Sequence, residues 1–199
     1  MKALFLTNNE VSTPLYEWIG ERDEVIKWSD KITSSDIVDV NPEIVVSYSY
    51  RHIIKSDVLA ALPNRFINLH IALLPYNRGA DPNAWSFLDG TPKGVTIHIV
   101  DEGIDTGPIL VQKEVFFDEM TDTLGGTYSR LQNEIQALFR NNWDAIKNGE
   151  ITPRPQTSKG TYHHSREFAA IKEQVMGSEG WNVTIQQLQQ RYQHLTGQF

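Results

Sequence analysis

The stretch FINLHIALLPYNRGA, residues 66 to 80, decides how the rest of the chain reads. Phe66 and Ile67 are apolar and expected to be buried, yet they run into Asn68 and His70 before Leu73, Leu74 and Pro75 lead into a glycine-containing loop. Side chains alternate along an extended segment, so Asn68 and His70 share one face and point into the same space. An amide and an imidazole at a strand end are either hydrogen-bonded structural groups or the start of a reactive site, and this stretch alone leaves both open.

Outward from it, the pattern alternates between strand and helix. Strands are predicted at Lys2 to Thr7, Val25 to Trp28, Glu43 to Tyr48, Phe66 to His70, Gly94 to Val100 and Ile109 to Phe116. Helices are predicted at Thr13 to Gly20, with Thr13 as cap and Pro14 first in the helix, near Ser56 to Leu62, and at Asn83 to Leu88. The clearest helix runs from about Thr123 to Lys147, where Leu124, Tyr128, Leu131, Ile135, Leu138 and Trp143 recur near helical spacing. This order predicts an α/β fold, a mostly parallel sheet flanked by helices. After Gly149 the composition turns proline-containing and poor in aliphatic residues, which predicts an irregular arm ending in a short amphipathic helix at Thr184 to Leu195. Residues 1–149 are therefore expected to form the main domain, with 150–199 an arm and short helix packed on that same domain.

The chain has 199 residues, a formal net charge of −7 and no cysteine. Its basic residues are scattered singly, which argues against a nucleic-acid backbone as partner. The lack of cysteine excludes disulfide scaffolds, thiolate metal sites and cysteine nucleophiles. His163 and His164 are adjacent in an extended stretch, point opposite ways and lack a carboxylate cluster, so no metal site is expected. No stretch reaches membrane-spanning length and the apolar run near the N-terminus is too short for a signal segment, so a cytoplasmic protein with no membrane partner is expected. Neither GxGxxG after the first strand nor GxxxxGK[ST] occurs, which moves dinucleotide and P-loop enzymes down the order.

A second stretch, KGVTIHIVDEGIDTGPILVQ, spans Lys93 to Gln112. Val95, Ile97 and Ile99 occupy one strand face and Thr96 and His98 the other, after which comes an acidic loop with Asp101, Glu102 and Asp105. Loops beyond the carboxyl ends of parallel strands are where α/β sheets place ligands. If Asn68, His70 and Asp105 converge there, the imidazole can take a proton from an attacking amine, the carboxylate can orient it, and the amide can donate to a developing oxyanion. That is an acyl-transfer site without an enzyme nucleophile. Taken singly, His98 reads as a half-buried strand residue and Asp105 as a turn-former before Thr106-Gly107-Pro108.

NLHIALLP followed by GVTIHIVDEGIDTGPIL closely resembles the paired signature of the 10-formyltetrahydrofolate-dependent formyltransferases, roughly N-[IL]-H-x-S-L-L-P and G-[VT]-T-[VI]-H-x-[VM]-x-x-x-x-D-x-G-P-I. The interval from His70 to Asp105 is close to the family's usual separation, and Ala72 replaces the usual serine. The resemblance implies a formyltransferase-type Rossmann-like sheet, Asn68, His70 and Asp105 as the catalytic trio, and 10-formyltetrahydrofolate as cosubstrate. It also implies a pterin slot with Ile53, Ile54 and Val58 on its apolar side and Val100, Asp101, Glu102 and Gly103 on the facing loop.

Within the family, Asn8-Asn9-Glu10 stands where glycinamide ribonucleotide formyltransferases carry a phosphate-gripping Gly-Ser-Asn loop, and a carboxylate there repels phosphate. VDVNPEIVVSYSYRHII and KGTYHHSREF look like the sugar N-formyltransferases, which implies a nucleotide-linked amino sugar as the second substrate. Arg78, Tyr162, His163 and His164 are the candidate substrate contacts. A homodimer is compatible with this reading. The alternatives are a glycinamide ribonucleotide formyltransferase-like enzyme, a 10-formyltetrahydrofolate hydrolase, and a noncatalytic folate- or sugar-nucleotide-binding module.

Overall fold

In the computed structural model, which describes residues 1–197, the chain forms β1 (Lys2–Leu6), α1 (Thr13–Gly20), β2 (Glu24–Trp28), α2 (Ser34–Val40), β3 (Ile44–Tyr48), α3 (Ser56–Ala61) and β4 (Phe66–His70) in turn. It continues through β5 (Arg78–Gly79), α4 (Pro82–Leu88), β6 (Gly94–Ile99), β7 (Ile109–Glu114), α5 (Leu124–Lys147), β8 (Tyr162–His163), α6 (Ser165–Met176) and α7 (Ile185–Thr196). Six strands make one sheet in the order β2-β1-β3-β4-β6-β7, and β5 pairs with β8 in a second, two-stranded sheet. The fold is the expected α/β arrangement, a mostly parallel sheet flanked by helices.

The described residues divide into two compact units. The first comprises Met1–His70, Ile97–Val111 and Gln136–Gln156. In it β1 pairs in parallel with β2 and β3, and β3 with β4, so that Asn68 lies beside Ser47. Every residue of β3 is buried, as an inner strand covered on both faces requires. One core cluster of this unit joins Leu4, Leu6, Val45, Phe66, Ile37, Ile54 and Val58. Asn8, just past β1, ties three loops together: its amide donates to Ser29 O at 2.8 Å and its carbonyl accepts from Arg51 N at 3.0 Å, while its own N–H meets Ser49 O at 3.1 Å.

The second unit comprises Ile71–Thr96, Gln112–Ile135 and the chain from Thr157 onward. Its core gathers Ala84, Trp85 and Phe87 of α4, Leu124 of α5, Phe168, Val175 and Met176 of α6, and Ile185 and Leu188 of α7. Ala72, the departure from the family motif, is buried, and its carbonyl accepts from Thr96 Oγ1 at 2.7 Å.

Several local expectations need correction. Thr13 lies inside α1 and Ser12 is the N-cap; the Ser12 hydroxyl is bonded instead to Thr7 Oγ1 and Asn9 O, both at 2.7 Å. The strand predicted to reach Phe116 ends at Glu114; Val115 N makes the last bond, to Lys93 O, and Phe116 is left 74% exposed. The sequence reading omits α2, although Thr33 and Asp36 cap it reciprocally. The segment after Gly149 is also more ordered than expected, since it holds two twelve-residue helices, α6 and α7. α6 escapes a composition-based reading because its apolar stripe, Phe168, Ile171, Val175 and Met176, is diluted by charged residues on the other face.

Candidate functional site

In the first unit β4 carries Asn68 and His70 to its C-terminal end, and the loop after β6 returns Asp105 to them. One carboxylate oxygen of Asp105, Oδ1, accepts from Asn68 Nδ2 at 3.2 Å and lies 3.4 Å from His98 Nε2. The other, Oδ2, lies 3.7 Å from His70 Nδ1, within ion-pair range but beyond a hydrogen bond. His70 is 7% exposed and the Asp105 side chain 12%, so the two polar groups meet in a largely dry environment, where Coulombic interaction is stronger than in water. The structure thus brings the three predicted residues together around one carboxylate.

The same geometry adds a residue the sequence reading set aside. His98 is 2% exposed, fully buried where half-burial was expected. Its Nδ1–H donates to Ile99 O at 2.8 Å, which leaves Nε2 facing Asn68 Nδ2 at 3.3 Å. His98 therefore helps set which way the Asn68 amide points. The available signal was the alternation Thr96, His98 on the strand that neighbours Asn68 and His70.

Asp105 sits at φ 53°, the left-handed region that non-glycine residues seldom occupy. The loop is braced by Asp101, whose Oδ1 accepts from Gly103 N at 3.2 Å and from Thr106 Oγ1 at 2.6 Å. Gly107 lies so close to β6 that an added Cβ would stand 1.9 Å from Ile99 O.

The residues expected around a pterin divide by environment. Ile54 and Val58 are buried in the first unit's core cluster, and Val100 packs against the same cluster. Ile53 is 72% exposed, Ile104 beside Asp105 is 42% exposed, and Glu102 and Gly103 lie at the surface of the loop. Ile104 thus leaves an aliphatic side chain at the surface one residue from Asp105.

In the second unit the two-stranded sheet holds three of the four expected substrate residues, Arg78, Tyr162 and His163, and His164 follows directly as the N-cap of α6. Arg78 pairs with Tyr162 and Gly79 with His163. Gly79 adopts φ +86°, and a Cβ there would come within 2.4 Å of His163 O and 2.8 Å of the Tyr162 ring, so no other residue fits. The Tyr162 hydroxyl bonds His164 Nδ1 at 3.1 Å, and Tyr162 is 39% exposed. Arg78 donates to Lys159 O at 3.4 Å.

His163 stacks on Trp85 at 3.9 Å with an interplanar angle of 3°. Its Nε2 meets Asp89 at 2.7 Å and its Nδ1 meets Glu167 at 3.0 Å. The hydrogen bond from His163 holds the Glu167 carboxyl below its ordinary value. With both nitrogens and one ring face engaged, His163 acts as a strut that fixes the strand bearing Tyr162. Nearby, burial raises the pKa of Asp81 against the opposing charge of Lys172. Among the described residues no group of three or more His, Cys, Asp or Glu side chains is arranged to hold a metal ion, and no helix is long and apolar enough to cross a membrane.

The family model described as Formyl transferase matches residues 27–141. The crystal structure of the formyltransferase PseJ from Anoxybacillus kamchatkensis, in complex with UDP-4,6-dideoxy-4-formamido-L-AltNAc and tetrahydrofolate, is 40% identical with a TM-score of 0.86, covering 94% of this chain and 97% of that one. A dTDP-4-amino-4,6-dideoxyglucose formyltransferase from Mycobacterium bovis is 34% identical over 116 residues, 58% of this chain and 49% of its own. A methionyl-tRNA formyltransferase from Thermodesulfovibrio yellowstonii is 37% identical over 139 residues, 68% of this chain and 44% of its own. The chain thus spans about half the length of these two relatives.

Proposed function

Since the chain belongs to the formyl transferase family, we propose that it transfers the formyl group of 10-formyltetrahydrofolate to the amine of a nucleotide-linked amino sugar. The observation that carries the chemistry is the Asp105 carboxylate in contact with Asn68 and His98 and within ion-pair range of His70. The sugar half of the reading is supported by the likeness to the Anoxybacillus protein over nearly the whole of both chains. It is also supported by the loop after β1, where Asn8 is bonded to neighbouring loops and Asn9 Oδ1 caps Val11 N at 3.0 Å, leaving Glu10 as the charged group.

His70 takes the proton from the attacking amine as the new C–N bond forms, and Asp105 favours the resulting imidazolium. Asn68 supports the oxyanion of the tetrahedral intermediate. Its amide contacts to His98 and Asp105, at 3.3 and 3.2 Å, are long, and a full negative charge on substrate competes well for one of those hydrogens. His70 then returns its proton to the departing folate nitrogen, with Asp105 keeping the ring in place. Ile53 supplies exposed apolar surface for the pterin over the core cluster of Ile54, Val58 and Val100, with Asp101, Glu102 and Gly103 on the facing loop; the folate supplies the activated formyl group.

Tyr162 offers a ring to a nucleobase, Arg78 a guanidinium to a diphosphate, and His164 a polar contact beside them, with His163 holding their strand. Residues 1–149 supply the catalytic groups, and the chain after Gly149 adds the strand and helices that carry Tyr162 and His164. The setting is cytoplasmic, without nucleic-acid or membrane partners, and a homodimer is compatible.

The test offers purified protein and 10-formyltetrahydrofolate a panel of dTDP- and UDP-linked amino sugars beside glycinamide ribonucleotide, with formylated product followed by mass spectrometry. Product from at least one amino sugar is expected. Product from glycinamide ribonucleotide alone overturns the sugar assignment, and formate release without any formylated amine points to hydrolysis.

A further inference from the structure

Asp105 occupies a backbone conformation that non-glycine residues seldom adopt, and its loop is bonded by a segment far along the chain. Ile109 and Arg154 form a closed antiparallel pair, Ile109 N to Arg154 O and Arg154 N to Ile109 O, both at 2.8 Å. Two residues further in each direction, Gln156 falls opposite Gly107. Gln156 Nε2 donates to Gly107 O at 2.8 Å and to Asp105 O at 2.9 Å. A carboxamide nitrogen carries two hydrogens, so one side chain bonds the carbonyls on both sides of Thr106. Asparagine is a methylene shorter, and an ionised glutamate has no hydrogen to give.

We infer that Gln156 is a positioning residue, pinning the backbone of the Asp105 loop so that the carboxylate is held against Asn68, His70 and His98. It touches no reacting atom and acts through Asp105. The kinetic part of this inference rests on the formyl-transfer reading; the structural part does not.

The experiment is a double-mutant cycle, Gln156→Ala in the wild-type and Asp105→Ala backgrounds, together with amide hydrogen exchange over residues 101–108. In the wild-type background kcat should fall about tenfold or more, with KM for folate and amine unchanged within about twofold, because a misplaced group costs transition-state stabilisation. In the Asp105→Ala background the further loss should be under about twofold, since two residues acting as one unit do not add. Exchange in 101–108 should accelerate about tenfold, with the remaining strands of the sheet unchanged. Gln156→Glu, nearly isosteric and so expected to fold, should lose kcat at least as much.

An equal proportional loss in both backgrounds overturns the inference in favour of a general structural role. A rise in KM at constant kcat overturns it in favour of a substrate contact, and unchanged exchange, or wild-type kcat in Gln156→Glu, overturns it directly. If wild-type protein formylates no amine, the functional reading fails, while the exchange measurement still decides whether Gln156 pins the loop.

Discussion

Replacing Gly107 with alanine should lower kcat by about 10²-fold although Gly107 touches no substrate. The new Cβ would stand 1.9 Å from Ile99 O, 2.9 Å from Ile99 C and 3.3 Å from Asp101 N, all backbone atoms that cannot rotate away. Ordinary contact begins at 3.4 Å, so the gap must open by about 1.5 Å. Ile99 cannot retreat freely, because it ends β6 inside the six-stranded sheet and its N–H is bonded at 2.9 Å to Pro108 O, the residue just before β7. The loop therefore yields, and Asp105, two residues earlier, moves with it. A shift of this size breaks the 3.2 Å contact to Asn68 and carries the carboxylate out of ion-pair range of His70. Misplacement by about 1 Å costs on the order of 10²-fold in rate, and the overpacking should lower stability by about 1–3 kcal/mol. The assay is steady-state formyl transfer with thermal unfolding in parallel. A Gly107→Ala protein with kcat within about threefold of wild type would refute the reasoning, because the position of Asp105 would then not matter.

His70→Ala should lower kcat by about 10²–10⁴-fold in the same assay with little change in melting temperature, and retention of most activity would remove the base assignment. Ile54→Asp sets a charge in the apolar cluster of Ile54, Val58 and Val100 and should weaken folate binding in calorimetry more than sugar-nucleotide binding; equal loss of both would mean a misplaced slot or a damaged fold. Burial works to raise the pKa of Asp23, but hydrogen bonds from Trp143, Lys147 and the N-terminal amine outweigh it and hold the carboxyl below its ordinary value. Because the folded value is the lower one, the stabilisation is complete above the unfolded pKa of about 3.9 and is lost as pH falls through the folded value. Asp23→Asn should cost about 2 kcal/mol near neutral pH and flatten the acid limb of urea stability. An acid limb identical to wild type would contradict this.

Much of the site was legible because its chemistry is written locally. Asn68 and His70 alternate onto one face of a strand, the acidic loop follows another strand, and the spacing of the two motifs matches a known signature. The sheet was legible for a similar reason, since runs such as Ile44–Tyr48 have no polar face and require cover on both sides. Element ends were less so. Ser12 rather than Thr13 stands at the N-cap of α1, because its hydroxyl is taken up by Thr7 and Asn9 in a turn the pattern does not announce, and Phe116 leaves the ladder because the last rung depends on Lys93, far off in the sequence.

What the sequence determined by itself, then, is the set of groups and their periodicity: an α/β chain with an amide, an imidazole and a carboxylate at strand ends. The tertiary structure decided which of them share a carboxylate. It added His98, which reads alone as an ordinary strand residue, and Gln156, which belongs to no motif and reaches the loop only through the pairing of Ile109 with Arg154. It also turned His163 from a prospective ligand contact into a strut, because Asp89, Glu167 and Trp85 reach it from two helices and a helix cap. The physical reason is one of range: alternation and capping act over a few residues and repeat visibly, whereas a hydrogen bond between residues 51 apart, as from Gln156 to Asp105, exists only once the backbone between them has folded.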